Sequence, residues 1–270
     1  MRTIVHLSDL HFGRVYEPLL EPLSQVIKSI KPDVIAISGD LTMRARQAEF
    51  VKAKAFLDSL PFPQVIVPGN HDIPLYDLYS RFFTALKKYR HYISGNLAPV
   101  YKDEHMVMYG LNTARSFAVK RGRVDLVQVA KICEEFSKLP PEVLKIVVSH
   151  HPFDLPLNFA ASNLIRRHVI AMDMLIKSKT DLFLAGHTHT SLIAHVPEHC
   201  KALGYSTLMV QAGTATSIRT RGEHNTFNIL QFEYPLLQIN SYLWDEEKKV
   251  FLPQLVKKFT HTKNGWHSVV

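Results

Sequence analysis

Residues 3–72 have the sequence TIVHLSDLHFGRVYEPLLEPLSQVIKSIKPDVIAISGDLTMRARQAEFVKAKAFLDSLPFPQVIVPGNHD, and this stretch decides the fold class. It contains three short apolar segments whose length predicts buried β-strands, at residues 3–7, 33–37 and 64–67. The two intervening segments carry apolar side chains at helical spacing, over residues 17–30 and 45–60. Strands that alternate with helices over short connections predict a sheet flanked by helices.

The rest of the chain has a larger share of strand-like segments. We predict helices at residues 75–92, 125–139 and 163–177. We predict strands within residues 100–111 and at residues 144–149, 181–185, 206–212, 225–233 and 238–243. We therefore expect two sheets packed face to face, with helices on the outside.

The size and composition of the chain allow a substantial core. The chain has 270 residues, of which 46% are hydrophobic, so we expect one domain over residues 1–270, with residues 244–270 as a candidate C-terminal extension. Cys133 and Cys200 are too few for a disulfide framework or a thiolate metal site. No apolar stretch approaches the ~20 residues of a membrane span, and the first strand leaves no room for a signal peptide before it. We expect a soluble, cytoplasmic protein.

The formal net charge of +8 predicts a surface that attracts anions. Such a surface suits a phosphate-bearing substrate, nucleic acid or an anionic membrane face. Nucleic acid is the less favoured partner, because the basic residues form no dense run.

Five short polar signatures each follow an apolar, strand-like segment directly. They are Asp9-Leu10-His11, Gly39-Asp40, Gly69-Asn70-His71-Asp72, His150-His151-Pro152 and Gly186-His187-Thr188-His189. Because strand ends in one sheet can converge on one point, these side chains can supply oxygen and nitrogen ligands for two metal ions. Ligands of this kind, without thiolates, suit Mn²⁺, Fe or Zn²⁺. Each signature taken alone also fits a helix cap or a polar turn.

The residue types in these signatures suggest different roles. Asp9 and His11 are two positions apart and can point at one spot just past a strand end. The two oxygens of Asp40 could bridge two cations. His71 could donate a proton or contact an anion. The adjacent histidines His150 and His151 point in different directions, so we expect only one of them to be a ligand.

Together the five signatures resemble the pattern of the calcineurin-like metallophosphoesterase superfamily. That pattern is Asp-x-His, Gly-Asp, Gly-Asn-His-Asp or -Glu, a His before a Pro or Gly, and Gly-His-x-His, and the resemblance covers roughly residues 3–232. It implies an α/β fold: a four-layer α/β/β/α sandwich of two mixed sheets flanked by helices, with a two-metal site at the sheet edges. In this resemblance the ligands of one ion are Asp9, His11 and His189, the bridging ligand is Asp40, those of the other ion are Asn70, His150 and His187, and the catalytic histidine is His71.

Two metal ions ~3.5–4 Å apart can clamp a phosphoryl group and lower the pKa of a bound water. The resemblance therefore implies a metal-dependent phosphoester hydrolase. Within the superfamily the chain looks most like the bacterial class III cyclic-nucleotide phosphodiesterases, which implies cyclic AMP or similar small phosphodiesters as substrates. Candidate substrate contacts are Asn112, His151, Arg219 and Arg221, with Arg44, Arg46 and Arg115 as weaker candidates. A dimer is a further expectation.

Three alternatives use the same motifs. A nuclease would suit the basic surface, and a non-catalytic scaffold would typically have lost some ligands. A nucleotide-sugar-lipid pyrophosphatase would need a basic, apolar surface that faces a membrane. An aromatic stretch could supply it: Tyr76, Tyr79, Phe82, Phe83, Tyr89 and Tyr92. At helical spacing, however, such residues are expected to pack in the core.

Overall fold

Two β-sheets pack face to face and bury apolar side chains of their strands between them. The computed structural model describes residues 1–155, 163–196, 204–219 and 222–269. Helices cover the outer face of each sheet, and their buried residues form two further apolar clusters. The predicted α/β class, with two mixed sheets between helical layers, is confirmed.

The first sheet contains the three strands predicted from residues 3–72. Its strands are β1 (Arg2–Leu7), β2 (Val34–Ile37), β3 (Gln64–Ile66), β10 (Thr226–Glu233), β11 (Leu236–Asp245), β12 (Val250–Thr262) and β13 (Gly265–Val269). Their order is β13-β12-β11-β10-β1-β2-β3. Strands β1, β2 and β3 are parallel to one another, whereas β10 to β13 pair antiparallel. The carboxyl ends of β1, β2 and β3 therefore lie at one edge.

The second sheet has the same mixed character. Its strands are β4 (Val100–Lys102), β5 (Met106–Leu111), β6 (Leu144–Ser149), β7 (Leu182–Ala185), β8 (Leu192–His195) and β9 (Leu208–Gln211). Their order is β4-β5-β6-β7-β9-β8, and β5, β6, β7 and β9 are parallel. Strands β6 and β7 are buried along their whole length, as their predominantly apolar sequences predict, and the one charged side chain, that of Lys145 in β6, is buried with them.

Helices form the two outer layers of the sandwich. They are α1 (Leu20–Ile30), α2 (Gln47–Asp58), α3 (Leu78–Phe83), α4 (Lys87–Tyr92), α5 (Leu126–Ser137) and α6 (His168–Lys177). Buried residues of α1 and α2 pack on the first sheet, and those of α5 and α6 pack on the second. Among the described residues, no helix combines the length and the hydropathy that crossing a bilayer requires.

The prediction of one helix over residues 75–92 is wrong. The side chain of Asp77 caps α3 by accepting from the backbone N–H of Ser80, and the non-helical backbone of Thr84 ends that helix before α4 begins. The expectation that its aromatic residues pack in the core is also wrong for the first four of them. Tyr76, Tyr79, Phe82 and Phe83 are exposed, and only Tyr89 is fully buried.

Two further boundaries differ from the predictions. The helix expected at residues 163–177 begins at His168, because Arg167 has a left-handed backbone with φ 68°. Residues 250–269 form the strands β12 and β13, which extend the first sheet. Trp266 of β13 is buried among the side chains between the two sheets. The end of the chain therefore completes the core.

Candidate metal centre

The loops that follow five parallel strands meet at one point between the two sheets. Asp9 and His11 follow β1, Asp40 follows β2, and Asn70 follows β3. His150 follows β6, and His187 and His189 follow β7. The side chains of these seven predicted ligands lie close together, and six of them are buried.

The first cluster consists of Asp9, His11 and His189. The Oδ1 atom of Asp9 lies 3.4 Å from His11 Nε2 and 3.2 Å from His189 Nε2. The two Nε2 atoms are 3.1 Å apart. Ligands placed about 3.3 Å apart are those expected around one tetrahedral cation with bonds near 2.0–2.1 Å. The three atoms therefore fit a single metal ion.

The second cluster lies beside the first. The Oδ2 atom of Asp40 is 3.3 Å from His150 Nε2, which is 3.1 Å from Asn70 Oδ1 and 3.2 Å from His187 Nδ1. The same Oδ2 atom of Asp40 is 3.8 Å from His11 Nε2 in the first cluster. Asp40 thus lies between the two groups of donors, where a carboxylate that bridges two ions would lie.

Backbone carbonyls fix the orientation of three of these histidines. The Nδ1–H groups of His11, His150 and His189 donate to the carbonyl oxygens of Thr42, Ser38 and Arg219, at 3.4, 2.8 and 2.6 Å. Since a carbonyl oxygen can only accept, each ring presents Nε2 to the centre. Metal-bound histidines usually make such a bond with their second nitrogen.

The charges in the centre are strongly coupled. Burial raises the pKa of the Asp40 carboxyl, but the imidazoles of His150 and His71 outweigh burial and hold that pKa far below its usual range. Burial lowers the pKa of His150, yet the Asp40 carboxylate outweighs it and raises this pKa to about 9. Burial and the neighbouring His150 lower the pKa of His187 to about 3. These opposite shifts are those of an ion pair between the Asp40 carboxylate and a protonated His150.

One carboxylate oxygen also fits the presence of a metal ion. Asp9 Oδ1 is buried and has no hydrogen-bond donor among the described residues. An unpaired buried oxygen is costly, and buried charges are normally paired or bound to metals. The other oxygen, Oδ2, accepts from the hydroxyl of Ser8 at 2.6 Å and from the backbone N–H of His187 at 2.9 Å. Asp9 is therefore oriented with Oδ1 toward the histidines.

The backbone at the centre is unusual. Five of the seven predicted ligands have a left-handed backbone although none is glycine: Asp9 (φ 52°), His11 (φ 49°), Asp40 (φ 53°), His187 (φ 72°) and His189 (φ 60°). This conformation costs an L-residue about 1 kcal/mol. Glycines make room nearby, because a Cβ on Gly69 or Gly186 would collide with the side chain of Asp40 or Ser8. The loops are thus shaped to aim side chains at the centre.

Buried polar side chains hold these loops together. Asp72 accepts from the backbone N–H groups of Thr42 and Gly69, both at 2.9 Å, and so joins the loops after β2 and β3. The hydrogen bonds of the Asp72 carboxylate therefore connect backbone segments. The hydroxyls of Thr214 and Thr216 donate to the carbonyls of Asp9 and Leu10, both at 2.7 Å. Sequence reasoning did not assign this role to the two threonines, because a hydroxyl residue has no distinctive spacing.

His71 lies at the open side of the centre. Its Nδ1–H donates to the carbonyl of Met43 at 2.8 Å, and its Nε2 is 3.3 Å from Arg219 Nη1. The rings of His71 and His11 have centroids 5.0 Å apart. His71 and Arg219, both predicted from the sequence, are therefore adjacent to each other and to the first cluster.

The remaining residues predicted to contact substrate lie in different parts of the structure. His151 is fully buried, and its Nδ1 is 2.8 Å from the hydroxyl of Thr113. Its ring can also offer a ligand atom within 4.8 Å of those of His150 and His187, so both adjacent histidines are candidate metal ligands. Asn112 lines an open cavity beside the centre. The guanidinium group of Arg44 stacks over Tyr76, with 5.0 Å to the ring centroid, and that of Arg115 donates to backbone carbonyls. Arg221 lies outside the described residues, as does Cys200.

Comparison with protein families gives the class to which this fold and centre belong. Residues 2–191 match the family model of the calcineurin-like phosphoesterases. The chain therefore belongs to the calcineurin-like phosphoesterase family, as the five signatures indicate.

Two curated proteins are similar to part of the chain. Over 80 residues the chain is 29% identical to the glycerophosphodiester phosphodiesterase GpdQ of Enterobacter lignolyticus, with 26% of this chain and 29% of that protein covered. Over 76 residues it is 36% identical to the UDP-2,3-diacylglucosamine pyrophosphatase LpxG of Chlamydia muridarum, with 27% and 23% covered. The matches thus span less than a third of the length of these relatives.

Solved structures with the same fold are more distant in sequence. A purple acid phosphatase, PPD1 from yellow lupin, superimposes with a TM-score of 0.68 at 12% identity and covers 94% of this chain and 53% of that one. A dimetal phosphatase from Danio rerio gives a TM-score of 0.64 at 12% identity, with 89% and 95% covered. At this identity the likeness supports the fold alone.

Proposed function

We propose that this chain is a two-metal hydrolase of phosphoesters and that small phosphodiesters are its substrates. The observation that carries this proposal is the pair of donor clusters on either side of the buried Asp40 carboxylate, next to His71. The donor atoms are oxygen and nitrogen only, so Mn, Fe and Zn are the ions we expect. When bound, two such ions would supply Lewis acidity toward a phosphoryl oxygen and lower the pKa of a water.

His71 and Arg219 have the positions for the protein's own part in this chemistry. Because Nδ1–H of His71 donates to the Met43 carbonyl, Nε2 is the nitrogen that faces the open side. When both ring nitrogens of His71 are protonated, the Nε2–H group can give its proton to the leaving oxygen of an ester, which leaves the ring neutral with its remaining proton on Nδ1. The guanidinium of Arg219 lies 3.3 Å from that nitrogen and can hold an anionic phosphate oxygen beside it. Both side chains thus act on the same phosphoryl group.

The curated relatives favour diesters and pyrophosphates over monoesters. GpdQ is named for a glycerophosphodiester and LpxG for a nucleotide-sugar-lipid pyrophosphate, and both substrates contain a phosphorus atom that carries two ester or anhydride links. A pyrophosphatase is the second candidate, and the exposed aromatic residues of α3 favour it. A non-catalytic scaffold is disfavoured, because all seven donors and His71 are retained and converge.

A turnover panel on metal-reconstituted protein tests the proposal. It includes bis(p-nitrophenyl) phosphate, p-nitrophenyl phosphate, cyclic AMP, a glycerophosphodiester, single-stranded DNA and a nucleotide-diphosphate lipid. We expect the aryl phosphodiester to be hydrolysed faster than the monoester, and activity to disappear when a chelator removes the metals. Metal analysis accompanies each assay. If the protein carries two metal ions per chain and hydrolyses none of the six compounds, the proposed phosphoesterase activity is contradicted.

A matched pair of variants links turnover to the centre. Asp40→Asn keeps the shape of the side chain but removes the charge shared by the two clusters, so we expect a loss of metal and of at least about a thousandfold in kcat/KM. Asp58→Asn makes the same change at an exposed position at the end of α2 and should behave as the wild type.

A further inference from the structure

Four aromatic side chains of α3 and of the segment after β5 are exposed to solvent. We call them the aromatic rim: Tyr79, Phe82 and Phe83 of α3, and Phe117, with 71%, 44%, 74% and 90% of their surface exposed. A single exposed aromatic residue is ordinary, but contiguous apolar surface of this kind marks a binding site. The chemistry at the metal centre makes no use of these rings.

The four rings of the aromatic rim form two contacting pairs. The rings of Tyr79 and Phe83 have centroids 5.1 Å apart, and those of Phe82 and Phe117 are 5.2 Å apart. The buried side chain of Arg81 donates to the carbonyls of Pro74 and Ala118, at 3.1 and 2.9 Å. These hydrogen bonds tie α3 to the segment that carries Phe117.

A groove of about 560 Å³ opens beneath the aromatic rim. Its apolar walls include Phe82, Phe83 and Leu86. This volume is within the range of pockets that hold small organic ligands. An apolar group of several carbon atoms would fit in it.

Residues on both sides of the groove are close along the chain to residues of the metal centre. On one side, Ile73 lines the groove and lies two residues after His71. On the other side, Asn112 lines the groove and precedes Thr113, whose hydroxyl is 2.8 Å from Nδ1 of the buried His151. The ring of His151 is 4.6 Å from that of His187. These links bring the lining of the groove within a few residues of the centre.

The charges around the groove favour an anionic ligand. Lys87, Arg90 and Arg115 line it, and none of its described lining residues is acidic. Cations beside apolar walls suit an amphiphile with a negatively charged head. A neutral apolar ligand would make no use of the three cations.

We propose that the groove binds the alkyl or acyl chain of an amphiphilic phosphodiester whose phosphorus lies at the metal centre. This inference rests on the proposed function and names the substrate class of the same site. The occupant is a chain of the substrate itself, bound as a monomer. In the reaction, the oxygen of a water bonds to phosphorus, the bond to the leaving oxygen breaks, and the proton lost by the water goes to the leaving oxygen or to solvent. The alkyl phosphate keeps its chain in the groove.

Two diesters with one leaving group measure the contribution of the chain. Methyl p-nitrophenyl phosphate and octyl p-nitrophenyl phosphate both release p-nitrophenolate, and both are assayed below the concentration at which the octyl ester aggregates. We expect kcat/KM for the octyl ester to be at least about tenfold higher, because burial of several methylenes stabilises its complex and transition state. Equal kcat/KM values for the two esters would contradict the proposal that the groove binds the alkyl chain. Turnover of both esters would still support the proposed phosphoesterase function. A preference that appears only above the aggregation concentration would also overturn it, since a lipid surface would then be the occupant.

Variants localise the effect to the rim. Phe83→Ala should reduce the ratio of the two kcat/KM values by about tenfold, because it removes an apolar wall. The control is Leu236→Ala, which truncates a side chain that is 57% exposed on β11. Leu236 is beside the amino end of β1, at the edge opposite the metal centre, and its variant should keep the wild-type ratio. A ratio that falls equally in both variants would contradict the proposal.

Calorimetry gives a readout that does not depend on turnover. Octylphosphonate should bind the protein at least about tenfold more tightly than methylphosphonate and with a more negative heat-capacity change, the marker of apolar burial. Equal affinities for octylphosphonate and methylphosphonate would contradict the proposal that the groove binds an alkyl chain. If the metal-loaded protein hydrolyses neither diester, the proposed function fails, and the two phosphonates still decide whether the groove binds a chain.

Discussion

His71 and Arg219 illustrate how single residues act at this centre through fixed hydrogen bonds. The Met43 carbonyl sets the orientation of the His71 ring, and the Arg219 backbone carbonyl sets that of His189. Arg219 thus contributes its backbone to one cluster and its side chain to the neighbourhood of His71. A substitution of the Arg219 side chain leaves the backbone contact in place, so the two roles can be separated.

The first prediction concerns proton transfer. His71→Ala should retain both metal ions, because the seven donors are unchanged, and should lower kcat by about a hundredfold to ten-thousandfold through the loss of a general acid. Steady-state kinetics with an aryl diester, together with metal analysis, measures this. The loss should be smaller for p-nitrophenolate than for an alkoxide leaving group, which needs the proton more. Full turnover in a metal-loaded variant would contradict the assigned role.

The second prediction concerns phosphate binding. Arg219→Gln should raise KM by roughly tenfold, because a charge-assisted hydrogen bond to a phosphate oxygen contributes about 1.5–3 kcal/mol. Arg219→Lys keeps the charge and should recover part of the loss. Kinetics on the same diester distinguishes the two variants. If the Gln and Lys variants have the wild-type KM, Arg219 does not contact the substrate.

The elements of the fold were predictable where short segments are mostly apolar. Strands β2 and β7 consist of apolar residues alone, and β1 and β6 contain apolar runs that the sequence displays plainly. The polar residues after these four strands include six of the seven donors, and the seventh, Asn70, follows β3. The break between α3 and α4 was not predictable, because it depends on the local cap at Asp77 and on the exposure of rings that helical spacing assigns to the core.

The third prediction concerns the link between α3 and its neighbouring segment. Arg81→Met should lower the free energy of unfolding by about 1–3 kcal/mol, because the buried carbonyls of Pro74 and Ala118 lose their donors. Arg90→Met, at an exposed position of α4, provides the control and should change stability little. Urea denaturation measures both. If Arg81→Met and Arg90→Met have the same free energy of unfolding, the hydrogen bonds of Arg81 do not contribute to stability.

At the scale of the whole molecule, the centre depends on both sheets. Asp9, His11, Asp40 and Asn70 come from the first sheet, and His150, His187 and His189 come from the second. Sequence order could predict that strand ends converge, but it could not predict which sheet each strand joins or that β12 and β13 complete the first one. Register and sheet membership depend on contacts between residues far apart in the chain.

The fourth prediction concerns pH and metal removal. In the metal-free protein the pKa of His150 is about 9, above the value of 6.5 that it has when unfolded, so this group stabilises the fold fully below pH 6.5 and loses its effect as the pH rises through 9. His187, with a pKa near 3, is neutral throughout this range. We expect the metal-free protein to lose on the order of 3 kcal/mol between pH 6.5 and 9.

Metal binding should reverse this trend. A metal ion requires neutral His150, so the ion competes with a proton at pH 6.5 and with none well above pH 9. Urea denaturation with a chelator and with added Zn²⁺ or Mn²⁺ should show a gap in stability that widens as the pH rises. The same measurement on His150→Gln should show a much flatter dependence in the chelated protein. A metal-free wild type whose stability does not change above pH 6.5 would refute the ion pair.

The left-handed backbone at five ligand positions has a consequence for the history of such chains. A left-handed backbone costs most L-residues about 1 kcal/mol, and the binding of metal ions at these positions would offset that penalty. A lineage that abandoned the chemistry would be freed from this constraint, and glycine or asparagine at those sites would then relax the loops and strengthen the fold. The residues found at positions 9, 11, 40, 187 and 189 of a homologous chain are therefore a record of whether its ancestors still required the ions.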